Sequence, residues 1–108
     1  MITQTQDILF KTLADPTRRA LFERLCRDGE LTVGALTADA GVSQPAVSKH
    51  LGILKQAGLV RDHHQGRQTH YRAQPDALEP LLDWTTQMAG FWHRRFNELE
   101  DLLKRMDQ

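Results

Sequence analysis

A glycine set between two short helical patterns constrains this chain more than any other feature. Residues 32–56 read as two helices joined at Ala40-Gly41-Val42. Thr32 stands where an N-cap opens the first helix, and Leu36 faces inward from it. Gly41 closes it by supplying the positive φ of a tight turn, and Val42 is expected to plug the corner. Ser43 caps the second helix, in which Val47, Leu51 and Leu54 recur at helical spacing until Gly58 stops it. That spacing is the spacing of a helix-turn-helix.

The remainder surrounds this centre. Ile8, Leu9 and Leu13 place apolar residues on one side of an N-terminal helix over about residues 4–13. Asp15-Pro16 reads as an N-cap followed by proline at the first helical position, and it opens a second helix. Leu21, Phe22 and Leu25 form the core face of that helix, and Asp28-Gly29 ends it. The period then changes after Gly58. Leu59-Val60-Arg61 and Thr69-His70-Tyr71-Arg72 look like two short strands turning at Gln65-Gly66, a wing over about 59–73. A hairpin of this size is marginal alone and must lean on the helices. From Asp76 to about residue 106 the pattern is helical again. The predicted fold class is mainly α with a small β-hairpin wing. It is a winged helix-turn-helix filling one domain over residues 1–108, with an additional helix at each end.

Composition excludes more than it identifies. The chain has 108 residues, 40% of them hydrophobic and 26% charged, which suits one soluble globular domain. The first thirty residues hold no apolar signal-peptide core, and no apolar run approaches membrane-spanning length. The single cysteine, Cys26, excludes an internal disulfide and suits a reducing cytoplasm; beside Leu25 it reads as a small buried hydrophobe. The expected location is cytoplasmic, with no membrane partner. There is no nucleophile elbow, glycine-rich phosphate loop, Ser/His/Asp order or paired carboxylates, so no enzyme is expected.

The net charge is zero, yet residues 43–72 carry Lys49, Lys55, Arg61, Arg67 and Arg72 against Asp62 alone, a local excess of +4. A neutral protein with one basic face can still bind polyanionic DNA, because local field and counterion release govern the attraction. In a helix-turn-helix the second helix enters the major groove by its N-terminal end. Opposite Val47 and Leu51, that end presents Ser43, Gln44, Pro45, Ser48 and Lys49. Gln44 can pair bidentately with adenine, Lys49 can reach guanine or phosphate, and Ser48 can bond a base edge or the backbone. In the wing, His63, His64, Gln65, Arg67 and Gln68 are placed to track phosphates or enter the minor groove, with Arg67 the principal candidate for a backbone contact. Arg61 and Arg72 sit nearer the base, within reach of Asp62 or other carboxylates. His63-His64 beside His70 lack an organised carboxylate or thiolate, so no metal site or cofactor is expected there.

The last helix speaks to assembly. Leu81, Trp84, Met88, Phe91 or Trp92, Phe96 or Arg95, Leu99, Leu102 or Leu103, and Met106 recur at about the 3.5-residue spacing of a helix–helix seam. The chain's own core cannot cover so long a stripe. It is expected to pair with the N-terminal helix (Ile8, Leu9) and with the same elements of a second subunit, giving a homodimer. Its two recognition helices would then lie about one turn of double-stranded DNA apart, roughly 34 Å, and read two half-sites.

Two stretches resemble a known family. Phe10-Lys11-Thr12-Leu13-Ala14-Asp15-Pro16-Thr17-Arg18-Arg19 resembles the opening of ArsR/SmtB-type transcriptional repressors. Val42-Ser43-Gln44-Pro45-Ala46-Val47-Ser48-Lys49-His50-Leu51, followed by Leu54-Lys55-Gln56-Ala57-Gly58-Leu59-Val60, is similar to that family's recognition helix. The resemblance implies a homodimeric repressor on a palindromic operator near its own promoter. It also exposes departures. Where metal sensors of the family carry Glu-Leu-Cys-Val-Cys-Asp-Leu, this chain has Glu30-Leu31-Thr32-Val33-Gly34-Ala35-Leu36, without either thiolate. For a C-terminal site it offers Asp83 and His93 but no histidine beside Asp83. It therefore resembles the metal-free branch, whose members answer to a partner protein or an unidentified signal. A metal-responsive repressor and a winged helix used only for protein–protein contact remain the alternatives.

Overall fold

A computed structural model describes residues 4–107; positions 1–3 and 108 of the expected 1–108 span lie outside the described residues. The elements run α1 (Gln4–Ala14), α2 (Pro16–Asp28), β1 (Leu31–Thr32), α3 (Val33–Ala38), α4 (Gln44–Gln56), β2 (Val60–Gln65) and β3 (Gln68–Ala73). A turn of 3-10 helix (Pro75–Leu78) then leads into α5 (Glu79–Met106).

Local chemistry sets the helix starts. Asp15, Thr32 and Ser43 each accept a hydrogen bond from the backbone N–H three residues on, at Arg18, Ala35 and Ala46. The Arg18-Arg19 pair has a second role. The Arg18 guanidinium donates to the carbonyls of Thr12 (2.7 Å) and Lys11, and Arg19 donates to that of Leu13 (2.9 Å). Two cations thus satisfy the orphan carbonyls at the negative end of α1 and fix its angle to α2.

The core lies where α1, α2, α3 and α4 meet one face of the sheet. Leu9, Leu21, Phe22, Leu25, Leu36, Val47, Leu51, Leu54, Leu59, Val60 and Tyr71 are all buried there. The sheet has three antiparallel strands in the order β1-β3-β2. Leu31 pairs with Tyr71 and Thr32 with His70, so two residues between α2 and α3 make a third strand that sequence periodicity does not register. The hairpin turns at Gly66-Arg67, one residue later than expected. Gln65 pairs with Gln68, and Gly66 takes φ +65° at the first loop position, the conformation a two-residue hairpin turn demands of glycine.

Four expectations need correction. α3 stops at Ala38 rather than at Gly41, and Val42 is 38% exposed, so the corner is formed by the glycine (φ +70°) without an apolar plug. Cys26 is exposed, not buried, although partial desolvation still pushes its thiol up from the ordinary range. Leu9, expected at a subunit interface, is buried inside its own chain (2% exposed), while neighbouring Ile8 is exposed.

α5 departs from this body. Its first turns are tied to α1 by Gln6, which donates to the Pro80 carbonyl, and by the edge-to-face pair Phe10–Trp84 at 5.1 Å. Beyond Met88 it projects. The radius of gyration is 19.6 Å, against about 13 Å for a compact chain of this length.

Candidate nucleic-acid interface

The leading end of α4 and the tip of the β2–β3 hairpin border one shallow cleft of about 330 Å³, together with the first turn of α3. Its walls include Gln44 and Ser48 from α4, Arg67, Gln68 and Thr69 from the hairpin, and Thr32, Val33 and Gly34 from the β1–α3 junction. This convergence follows from the core. Val47, Leu51 and Leu54, each fully buried, press one side of α4 against α2 and the sheet. Gln44 and Ser48, four residues apart, then line up beside the cleft, and Pro45 and Lys49 lie exposed on the side facing away from the core.

Among the described residues, the side chains of Gln44, Ser48, Lys49, Arg67 and Gln68 make no hydrogen bond or ion pair. These donors and acceptors are therefore free for an external ligand. Ser43 has its hydroxyl committed to the Ala46 N–H as the α4 cap.

The wing histidines separate. His64 lies on the same strand face as Thr69 and bonds to its hydroxyl at 3.0 Å. His63 points to the opposite face and stacks on its cross-strand partner His70. There it approaches Glu30 rather than the cleft. The carboxylate missing from the sequence reading of these histidines is thus Glu30, forty residues away in His70's case and brought in by β1. Asp62 is not the partner of Arg61 or Arg72, because Lys55 of α4 holds it at 3.0 Å. Sequence reasoning also missed Thr32, Val33 and Gly34 as cleft residues, since only the pairing of β1 with β3 brings them beside the wing. No helix among the described residues is long and apolar enough to cross a membrane.

Known proteins share both sequence and architecture with this chain. A family model described as a helix-turn-helix domain matches residues 13–63. The transcriptional repressor SdpR of Bacillus subtilis is 34% identical over 91 residues, covering 84% of this chain and 97% of that protein. The HTH-type transcriptional regulator Rv2034 of Mycobacterium tuberculosis is 44% identical over 93 residues, covering 82% and 86%. Among solved structures, an ArsR family transcriptional regulator superposes with a TM-score of 0.76 at 30% identity, covering 86% of this chain and 97% of its own. An ArsR-like regulator from Rhodococcus sp. RHA1 gives 0.70 at 28% identity over 89% and 90%. The chain belongs to the ArsR/SmtB-type winged helix-turn-helix transcriptional repressors, a family of DNA-binding regulators and not of enzymes.

Proposed function

We propose that this protein represses transcription as a homodimer on a palindromic operator near its own promoter. The observation that carries the DNA reading is the cleft between α4 and the wing, edged by free polar and cationic side chains. Gln44, Ser48 and Lys49 would face base edges and phosphates of the major groove, with Pro45 and the Ser43-capped helix end beside a phosphate. Arg67, Gln68 and His64 would track the backbone from the wing.

The dimer reading rests on α5. Phe91, Trp92, Phe96, Leu99, Leu102, Leu103 and Met106 are each between 49% and 71% exposed on one projecting helix. Soluble chains do not leave so long an apolar stripe to water, and a second α5 with the same stripe is its natural cover. Ile8 of α1, 45% exposed, and the partly exposed Trp84 and Met88 would join that interface. Signal-dependent release would then act through the angle between subunits, which sets the register of the two recognition helices on successive grooves.

The test is a titration of purified protein on its own upstream DNA and on a scrambled duplex, with Gln44→Ala/Lys49→Ala in parallel. Sequence-dependent binding that the double variant loses supports the reading. Binding indifferent to sequence and to the substitutions contradicts it.

A further inference from the structure

We propose that Glu30, His63 and His70 form a binding site for a zinc-like divalent cation on the outer face of the three-stranded sheet. None of the three residues lines the α4 cleft, although Thr32, the cross-strand partner of His70, does, and none belongs to α5. The site involves neither the third-helix positions, here Thr32 and Gly34, nor the Asp83 and His93 pair.

The register builds it. His63 and His70 are direct antiparallel partners, so their side chains leave the sheet side by side on the same face, with rings stacked at 5.1 Å and 9°. β1 pairs with β3 at Leu31–Tyr71 and Thr32–His70, and extending that register sets Glu30 on the His70 side of the sheet. Both imidazoles turn Nδ1 toward the one carboxylate. His63 Nδ1 lies 3.3 Å from Oε1 and His70 Nδ1 lies 3.7 Å from Oε2. One ligand atom from each of the three residues falls within 4.8 Å of the others.

This matches the chemistry of a borderline cation. Two imidazole nitrogens and one carboxylate are a frequent zinc donor set, and donors about 2.0–2.2 Å from a tetrahedral ion stand about 3.3–3.6 Å apart. The two nitrogen–oxygen separations run to different oxygens of the one carboxylate, so a single ion would take Glu30 as a bidentate ligand or draw both nitrogens toward one oxygen. Glu30 and His63 are about half exposed and His70 is the most enclosed of the three, leaving the fourth position open to water. Arg61 and Arg72, opposed on the same face, oppose a second positive charge, and the Glu30 carboxylate offsets part of that repulsion. A bound ion would tie the α2–β1 turn to both strands of the wing through one centre, where Glu30 already approaches His63 and His70.

The experiment is competition of metal-stripped protein with a chromophoric chelator for Zn²⁺, with Co²⁺ absorption reporting the geometry. The expected result is one ion per chain, with a Kd of about 10 μM or tighter. Cys26→Ser should bind as the wild type does, since its thiol is not a ligand. His70→Ala and Glu30→Gln should each weaken binding at least about tenfold, the smallest loss expected when even an outer-shell partner of a metal site is removed. Unchanged circular dichroism establishes that these variants fold. Binding at one ion per chain that His70→Ala leaves intact, or a wild-type Kd weaker than about 100 μM, overturns the assignment. Metal binding is read directly and does not depend on DNA recognition.

Discussion

Replacing Leu99 and Leu102 of α5 by alanine perturbs the proposed subunit interface without entering the core. Both side chains are about half exposed, at 50% and 49%. Burying a whole leucine contributes about 1.5–3 kcal/mol, so covering the remaining half contributes about 1 kcal/mol, most of which alanine gives up. A two-fold interface contains each substitution twice, so the pair should cost about 4 kcal/mol of dimer stability. At 1.4 kcal/mol per tenfold, the dimer Kd should rise roughly a thousandfold. Sedimentation equilibrium over a concentration series reads this directly, and far-UV circular dichroism confirms that α5 stays helical. A double variant that dimerises as tightly as the wild type, or a wild-type protein that stays monomeric throughout, would refute the reasoning.

Two further outcomes follow from single side chains. Arg67→Ala should weaken binding to specific and scrambled DNA alike and lower the steepness of log K against log salt by about 0.9, as the loss of one phosphate contact requires; a change confined to one sequence would contradict that role. Asp15 has its carboxyl held below the ordinary range chiefly by the Arg18 backbone N–H at the α2 cap. Its folded-state pKa is depressed, so its ionisation stabilises the fold above the unfolded-state value and loses that effect as pH falls through the folded one. Asp15→Asn keeps a capping oxygen but not the titration, so its acid unfolding curve should be shallower than the wild type's over that window; superimposable curves would count against it.

The caps and the core faces of α2 and α4 were legible because they depend on neighbours three or four residues away. Asp15, Thr32 and Ser43 meet their N–H partners within one turn, and Val47, Leu51 and Leu54 share a face by helical period alone. What escaped depends on long-range register. β1 is two residues long, too short for any period, yet its pairing with β3 carries Glu30 to His63 and His70, and Thr32 to the cleft. Ile8 and Leu9 show the other limit. Adjacent positions on a short helix point about 100° apart, and only the packing of α1 on α2 decides that Leu9 is inside and Ile8 outside. Lys55 captures Asp62 for the same reason, because α4 and β2 meet only in the folded chain.

The central claim is that the leading face of α4 reads DNA sequence. Its most direct measurement is the affinity of wild-type and Gln44→Ala/Lys49→Ala protein for the upstream duplex and a scrambled one across a salt series. A good base contact discriminates by about 1–3 kcal/mol, so the double variant should bind the upstream duplex at least about thirtyfold more weakly and lose most of its preference over scrambled DNA. Wild-type preference retained by the double variant would place recognition elsewhere on the protein and contradict the account.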